Sequence, residues 1–164
     1  MTLELAVEIE AEGWYGIGPV EADIEGWATA AAAEAGLTDD AEIAVLLCDD
    51  AAIRSLNLQW RGLNKATNVL SFPAAGPRPP AGPRPLGDIA VAWETTRREA
   101  EQEGKAVRAH LAHLIVHGTL HLLGHDHEEA AAADIMEAAE RRILGRLGFD
   151  DPYADSIPAM ATHS

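Results

Sequence analysis

The segment HGTLHLLGHDH, residues 117–127, constrains this chain more than any other part of it. It places His117 and His121 four residues apart, so on a helix their imidazoles lie one turn apart on the same face and can bind one metal ion. Gly124 lets the chain leave the helix, because glycine adopts left-handed backbone angles at a helix end. The turn that follows can return His127 to the same point as a third ligand. Three histidines leave a fourth tetrahedral position open, which is typical of a catalytic zinc site rather than a closed structural one.

The alternative to a metal site is a chance arrangement of packing or surface histidines. Pairs four residues apart do arise by chance, but three histidines with a glycine before the third are much harder to explain in that way. Their spacing resembles the zinc-binding run H-E-x-x-H-x-x-G-x-x-H of the metzincin peptidases. Those enzymes need a glutamate after the first histidine as general base, and this chain has Gly118 there. The sequence therefore predicts a metal site and disfavours a peptidase.

Three further residues near this run are candidates for a supporting role. His113 lies one helical turn before His117 and is a candidate for orienting a ligand or transferring a proton, although packing inside the helix explains it equally well. Asp126 could accept the second N–H of a ligand imidazole, as acceptors near metal-bound histidines usually do. His125 is either a bystander or a fourth ligand.

Composition bounds the class of protein. The 164 residues, 48% of them apolar, suffice for one globular domain, which we place at residues 1–150. Residues 151–164 carry no periodicity and are predicted to form a disordered tail. No apolar run reaches the ~18 residues of a membrane span, and the acidic start lacks the basic region of a signal peptide. The single cysteine, Cys48, is predicted to be a buried thiol, and a cytoplasmic location is expected.

The distribution of charge bears on the substrate. A formal net charge of −15 argues against a nucleic-acid partner. However, residues 1–50 hold 13 of the 27 Asp and Glu and none of the 12 Lys and Arg, so the remainder is nearly balanced. That remainder could carry a local basic patch, with solvated surface charge as the alternative. The candidates for the patch are Arg61, Lys65, Arg97, Arg98 and Arg108.

Hydrophobic periodicity predicts an α+β fold, in which a mixed four-stranded sheet and about five helices surround a central metal-bearing helix with a zincin-like site. The predicted strands are residues 3–10, 42–48, 66–72 and 87–93. The predicted helices are residues 19–35, 51–61, 94–104, 105–124 and 128–148. The helix at 105–124 is apolar on most of its surface and is therefore the central one. The proline-rich stretch 73–87 is predicted to be an exposed excursion between two strands.

Arg61 is the candidate catalytic residue outside the histidine run. Asp49 or Asp50 can cap the helix that contains it, and Gly62 ends that helix. At this position the guanidinium could project into a cleft and donate two hydrogen bonds to a phosphate or carboxylate. The alternative is an ordinary cation at a helix C-terminus, where it favours the helix dipole.

Three segments together resemble a known family. HGTLHLLGHDH preceded by HLIV, the WRG…TNVLSFP run at residues 60–73, and GDI at 87–89 are similar, in this order, to signatures of the YbeY family of bacterial metal-dependent endoribonucleases and rRNA maturation factors. The resemblance covers most of residues 43–148. It implies that His117, His121 and His127 bind zinc and that Arg61 is the functional arginine. The family usually has tyrosine at the position of His125.

The resemblance also implies an activity and partners. These are hydrolysis of single-stranded RNA, maturation of small-subunit (16S) rRNA ends, and removal of defective ribosomes. The implied partners are the ribosome, a small-subunit ribosomal protein and an assembly GTPase, with no membrane. Two other classes stay open: another metallohydrolase, such as a peptidase whose base lies elsewhere, and a non-catalytic ribosome-binding module with structural zinc.

Overall fold

The protein is built on a four-stranded mixed sheet, as seen in a computed structural model that describes residues 1–125 and 129–153. The strands are β1 (Leu3–Ile9), β2 (Ala41–Cys48), β3 (Val69–Pro73) and β4 (Arg84–Ala92). Their order in the sheet is β1-β2-β4-β3. The pairs β1–β2 and β2–β4 are parallel, whereas β3 runs antiparallel to β4 at one edge. The predicted α+β fold with a mixed four-stranded sheet is confirmed.

Five α-helices surround the sheet in the described part of the chain. They are α1 (Glu21–Glu34), α2 (Asp50–Arg61), α3 (Trp93–Glu103), α4 (Val107–Leu122) and α5 (Ala130–Arg146). A 3-10 helix at Glu12–Ile17 is a sixth, and it holds Trp14 fully buried. Its six residues make only two turns, too few to show an amphipathic period, which explains why the sequence did not predict it. No helix among the described residues is long and apolar enough to span a membrane.

The central helix is α4, as predicted. It packs against α1, α3, α5 and the strands β3 and β4, and nine of its sixteen residues are buried. Gly118 lies where α4 crosses the sheet most closely. A Cβ atom at this position would lie 3.1 Å from side-chain atoms of both Ile89 and Ser71. The helix and the sheet are thus closely packed here, and any side chain at this position would require Ile89 and Ser71 to shift.

The sheet has a different cover on each face. Residues of α1, α4 and α5 form the larger core on one face. On the other face, Ile53 of α2 packs with Cys48 of β2 and with Leu70 of β3. Asp49 begins α2 by accepting a hydrogen bond from the amide of Ala52 at 2.8 Å, so it is the N-cap. Helix α2 therefore lies across the sheet from the histidine-bearing helix.

Two predicted boundaries around the proline-rich stretch are wrong. Strand β4 begins at Arg84 rather than residue 87, because Arg84 N donates to Asp40 O at 2.9 Å and its guanidinium binds Asp39. Strand β3 begins at Val69 rather than residue 66, and Asn68 Oδ1 accepts from the amide of Val69 at 2.7 Å. The periodicity of the sequence shows neither the contacts of Arg84 with Asp39 and Asp40 nor the hydrogen bond to the Asn68 side chain.

Candidate metal centre

Four histidines form a row along one face of α4. His110, His113, His117 and His121 follow one another at spacings of three and four residues, which keeps them on one helical face. Successive ring centroids lie 6.0, 6.4 and 4.9 Å apart. The row runs from the well-packed start of α4 to its C-terminal end, where Gly124, with φ of 99°, lets the chain turn away. The expected exit of the helix at this glycine is confirmed.

The structure places the two predicted metal ligands of α4 side by side. The rings of His117 and His121 are 4.9 Å apart and inclined at 68°, and both side chains are half-buried. The third predicted ligand, His127, and the candidate acceptor Asp126 lie outside the described residues. Within residues 1–125 and 129–153, no group of three or more His, Cys, Asp or Glu is arranged to hold a metal. The three-histidine site therefore stays a prediction.

A buried carboxylate joins two histidines of the row. Glu140 of α5 is completely buried; its Oε2 lies 2.7 Å from Nδ1 of His117, and its Oε1 lies 2.7 Å from Nε2 of His113. Tyr153 donates a short hydrogen bond from its hydroxyl to the same Oε1. Each oxygen of this carboxylate therefore accepts from at least one ring or phenol, which satisfies a charge that would otherwise be costly to bury.

The charge state of this group follows from its contacts. Burial alone raises the pKa of Glu140, but the hydrogen bonds from His113 and His117 outweigh it and bring the pKa to about 2. Burial, and next the bond to Glu140, raise the pKa of Tyr153 above its ordinary value. Glu140 is thus an anion and Tyr153 a neutral donor at physiological pH.

This arrangement fits a metal site. Because Nδ1 of His117 is held by Glu140, its lone pair for a metal lies on Nε2, on the other side of the ring. Metal-binding histidines usually donate their second ring N–H to a carboxylate, which fixes the tautomer and the ring orientation. Two adjacent imidazoles, one of them oriented in this way, match the nitrogen ligands that zinc prefers.

Sequence reasoning missed Glu140. The signal was present, since Glu140 lies on the buried stripe of α5 between Met136 and Ile143, four and three residues away. An acid within an apolar helical stripe needs a partner elsewhere in the fold. Which partner it meets depends on how α5 packs against α4, and no local pattern specifies that.

His113 and His125 have different surroundings. His113 contacts Glu140, and its Nε2 lies 3.3 Å from the Tyr153 hydroxyl. It is therefore connected to His117 through the Glu140 carboxylate. This position is compatible with the orienting role that the sequence suggested. The amide of His125 donates to Leu120 O at 3.0 Å in the turn that ends α4, and its side chain is half-buried.

A second polar network lies at the start of the histidine row. Glu99 of α3 accepts hydrogen bonds from Asn68 at 2.9 Å and from His110 at 2.8 Å. Burial lowers the pKa of His110 from its ordinary value, although the bond to Glu99 opposes this effect. These residues, with His113 and Tyr153, line a cavity of about 480 Å³ that reaches His117. The cavity gives the candidate metal centre an open side.

Arg61 lies on the far side of the sheet from this cavity. It ends α2 before Gly62, whose φ is 71°, and its side chain is exposed. Among the described residues no carboxylate pairs with it, and it does not line the cavity beside His117. Two of the other candidates for a basic patch are already paired: Arg97 with Glu101 and Arg108 with Asp23. The five candidate cations therefore do not form a single free patch.

The fold and the histidine row define an α+β protein whose central helix carries a candidate metal centre. A model of the family described as Endoribonuclease YbeY matches residues 15–148. The chain is 56% identical over 153 residues to an endoribonuclease YbeY of Rhodopseudomonas palustris, a match that covers 91% of this chain and 89% of the relative. It is 62% identical over 120 residues to that of a Bradyrhizobium species, with 71% of each chain covered. The chain belongs to the endoribonuclease YbeY family, and this membership supports a nuclease role.

A solved structure has the same fold. The solution structure of a protein from Thermotoga maritima superimposes with a TM-score of 0.55 at 22% sequence identity, covering 87% of this chain and 91% of that one. At this identity the likeness concerns the fold alone.

Proposed function

We propose that the chain is a zinc-dependent, single-strand-specific endoribonuclease of the cytoplasm that acts in the maturation of small-subunit (16S) rRNA ends and in ribosome quality control. The observation that carries the proposal is the 2.7 Å contact between Glu140 Oε2 and His117 Nδ1, one helical turn from His121. A buried carboxylate on the second nitrogen is characteristic of metal-binding histidines. The RNA substrate rests on the family to which the chain belongs.

The residues proposed to hold zinc are His117, His121 and His127, the last of which lies outside the described part of the chain. Zinc with an open position supplies Lewis acidity toward a phosphoryl oxygen and acidifies water. Glu140 keeps the His117 ring in one orientation and tautomer, and His113 and Tyr153 hold the carboxylate in place. The buried network thus gives the site its geometry before substrate arrives.

Arg61 is proposed to stabilise the scissile phosphate. An arginine can donate two parallel hydrogen bonds to a phosphate, and negative charge builds on phosphorus as the chain is cut. The exposed side chain without a carboxylate partner in the described residues supports this role. To meet a substrate bound at the histidines, Arg61 has to act across the edge strand β3.

A peptidase is the weaker alternative. In the peptidases with the same histidine spacing the general base follows the first histidine, and here that position is Gly118, packed against Ile89 and Ser71. We further propose that the ribosome and small-subunit assembly factors are partners, on the ground of family membership alone.

An RNA cleavage assay with metal analysis tests the proposal. Wild type is compared with His117→Ala and Arg61→Ala on single-stranded RNA, with casein as the peptidase substrate. We expect His117→Ala to lose both zinc and cleavage, and Arg61→Ala to lose cleavage while keeping its zinc. Arg146→Ala is the matched control, because Arg146 is also an exposed cation in the last turn of a helix. Its loss removes only a surface ion pair with Glu34, so this variant should keep both its zinc and its cleavage activity.

Two results would contradict the proposal. Wild-type turnover by Arg61→Ala would remove the phosphate role from Arg61, and cleavage of casein but not RNA would replace the nuclease with a peptidase. The product ends distinguish two mechanisms of cleavage. A 2′,3′-cyclic phosphate indicates attack by the RNA's own hydroxyl, whereas a terminal phosphate without a cyclic precursor indicates attack by water.

A further inference from the structure

An exposed tryptophan stands at the C-terminal end of α2. Trp60 is 66% exposed, and the neighbouring Leu58 and Leu63 are 49% and 40% exposed. The Trp60 ring lies 6.3 Å from that of Phe72 in β3, inclined at 56°. In contrast, Trp14 and Trp27 are 0% and 6% exposed. Neither the metal centre nor the hydrophobic core uses Trp60, so its exposure calls for another explanation.

The backbone around Trp60 is held in place. Gly62, in the left-handed conformation, turns the chain back along α2, and the amide of Leu63 donates to Asn57 O at 3.3 Å. Asn57, itself buried, donates from Nδ2 to Lys65 O at 3.0 Å. Trp60 is therefore presented by a fixed turn rather than by a loose loop, and little conformational freedom is lost when a ligand stacks on it.

The segment that carries Trp60 is positively charged, although the whole chain is acidic. Residues 51–87 contain five Arg and Lys and no Asp or Glu, although the whole chain has a net charge of −15. Arg78 and Arg84 of this segment are paired with Asp39. The other three, Arg54, Arg61 and Lys65, have no carboxylate partner among the described residues, and Arg54 donates instead to the neutral Asn64 at 2.8 Å. Helix α2 and the turn that follows it thus combine an exposed aromatic ring with three cations that form no ion pair among the described residues.

One edge strand separates this surface from the histidine row. Phe72, beside Trp60, follows Ser71 in β3, and Ser71 donates to Gly118 O of α4 at 3.3 Å. Neighbouring side chains of a strand point to opposite faces, so Trp60 and the histidines lie on opposite faces of the sheet at the same level of β3. Because β3 is the edge strand, a flexible polymer can pass around it from one face to the other.

We propose that Trp60 is a stacking platform for an unpaired base of single-stranded RNA. Arg54 and Lys65 contact phosphates beside that base, and the strand then crosses the edge of β3 to reach His117 and His121. Arg61, at the end of α2 next to Trp60, keeps its proposed place at the scissile phosphate. Aromatic side chains next to cations are the general means by which proteins bind single strands, because every base has a face that can stack. The proposal rests on the proposed function, since it specifies how the same substrate is bound.

Steady-state cleavage of a single-stranded RNA oligonucleotide by the zinc-loaded full chain tests this platform. We expect Trp60→Ala to raise KM about 5- to 150-fold, the range for loss of one base–aromatic stack, with a much smaller change in kcat. Trp60→Phe should recover most of the affinity. Tyr15→Ala is the matched control, because Tyr15 is 64% exposed but lies in the 3-10 helix, outside the cationic segment, and its KM should equal that of wild type.

Tryptophan fluorescence gives a second measurement that does not depend on turnover. RNA should quench the emission of wild type, and most of this quenching should be lost in Trp60→Phe. Of the other three tryptophans, Trp14 and Trp27 are buried, and Trp93 is half-buried with its ring against Trp14. If the Trp60 variants have the KM and the quenching of wild type, Trp60 does not bind RNA, although the proposed nuclease activity still stands. If Trp60→Ala instead dissociates a dimer and keeps its RNA affinity, the patch binds a second copy of the chain. A wild-type protein that neither binds nor cuts RNA overturns the proposed function and the platform together.

Discussion

Glu140 Oε2 lies 2.7 Å from Nδ1 of His117, and this contact links α5 to the histidine face of α4. The glutamate is completely buried and its second oxygen accepts from His113 and Tyr153. A buried carboxylate without hydrogen-bond partners is strongly destabilising, so the bonds from His113, His117 and Tyr153 are needed to keep Glu140 charged in this position. The network is therefore a fixed scaffold on which the His117 ring is oriented.

Replacing Glu140 with glutamine should weaken metal binding. The amide keeps the size of the side chain but accepts less strongly and has only one carbonyl oxygen for three donors. We expect Glu140→Gln to lower zinc affinity about 10- to 100-fold, as found generally when the acceptor of a metal-bound histidine is changed. Competition with a chromophoric chelator measures this affinity. Asp134→Asn, an exposed change on the same helix, is the control, and equal affinities in both variants would refute the orienting role.

Enlarging Gly118 should destabilise the fold. A Cβ at this position would lie 3.1 Å from side-chain atoms of Ile89 and Ser71, so Gly118→Ala crowds a closely packed contact between α4 and the sheet. The expected loss of unfolding free energy is about 1–3 kcal/mol, measured by urea denaturation. Gly26→Ala is the matched control, because Gly26 is an exposed helical glycine with no atom within 4 Å of its Cβ position. That change should stabilise by about 0.4–1 kcal/mol, and a similar gain in Gly118→Ala would contradict the close packing.

Removing the metal should abolish activity without unfolding the protein. The histidine-bearing helix is held by an apolar core that includes Leu111, Ile115 and Leu120, all fully buried. Circular dichroism of the chelated protein should therefore remain that of a folded α+β domain, while RNA cleavage is lost and returns with added zinc. Loss of the helical signal on chelation would instead indicate a structural zinc and favour the non-catalytic ribosome-binding module.

The thiol of Cys48 should be unreactive in the folded protein. Its side chain is fully buried, and burial raises the pKa of this thiol to about 12. Because the thiolate is the reactive form, a disulfide reagent at pH 8 should modify almost no native protein. One thiol per chain should react after unfolding in guanidinium. Rapid modification of the native protein would show that the strand around Cys48 opens.

Local patterns in the sequence accounted for much of α4. The apolar residues around the helix predicted its central place, the glycine at position 124 its end, and the four-residue spacing the neighbouring rings of His117 and His121. Gly118 was correctly read as unable to supply a peptidase base, and the structure adds the reason, which is contact with the sheet. The features that the sequence did predict depend on the geometry of a helix, which is encoded in consecutive residues, whereas the contact of Gly118 with the sheet is not.

The contacts that could not be predicted join distant segments. Glu140 meets His117 across 23 residues, and Glu99 meets Asn68 across 31 residues. The sequence shows that each of these residues is polar but not which residue it contacts. That contact is decided by how whole helices pack against one another. The start of β4 was missed for the same reason, because Arg84 is drawn into the strand by Asp39, 45 residues earlier.

The anchoring of Arg84 has a practical consequence for the hairpin between β3 and β4. Both ends of the proline-rich connection are held in place. At its end, Arg84 binds Asp39; at its start, the amide of Ala74 donates a hydrogen bond to Leu86 O at 3.0 Å. The length of a connection between fixed ends changes its closure entropy only slowly. Its tip, between Gly76 and Gly82, is consequently a suitable insertion point for a fluorophore or affinity tag that reports on events at the edge of the sheet without shifting the strands.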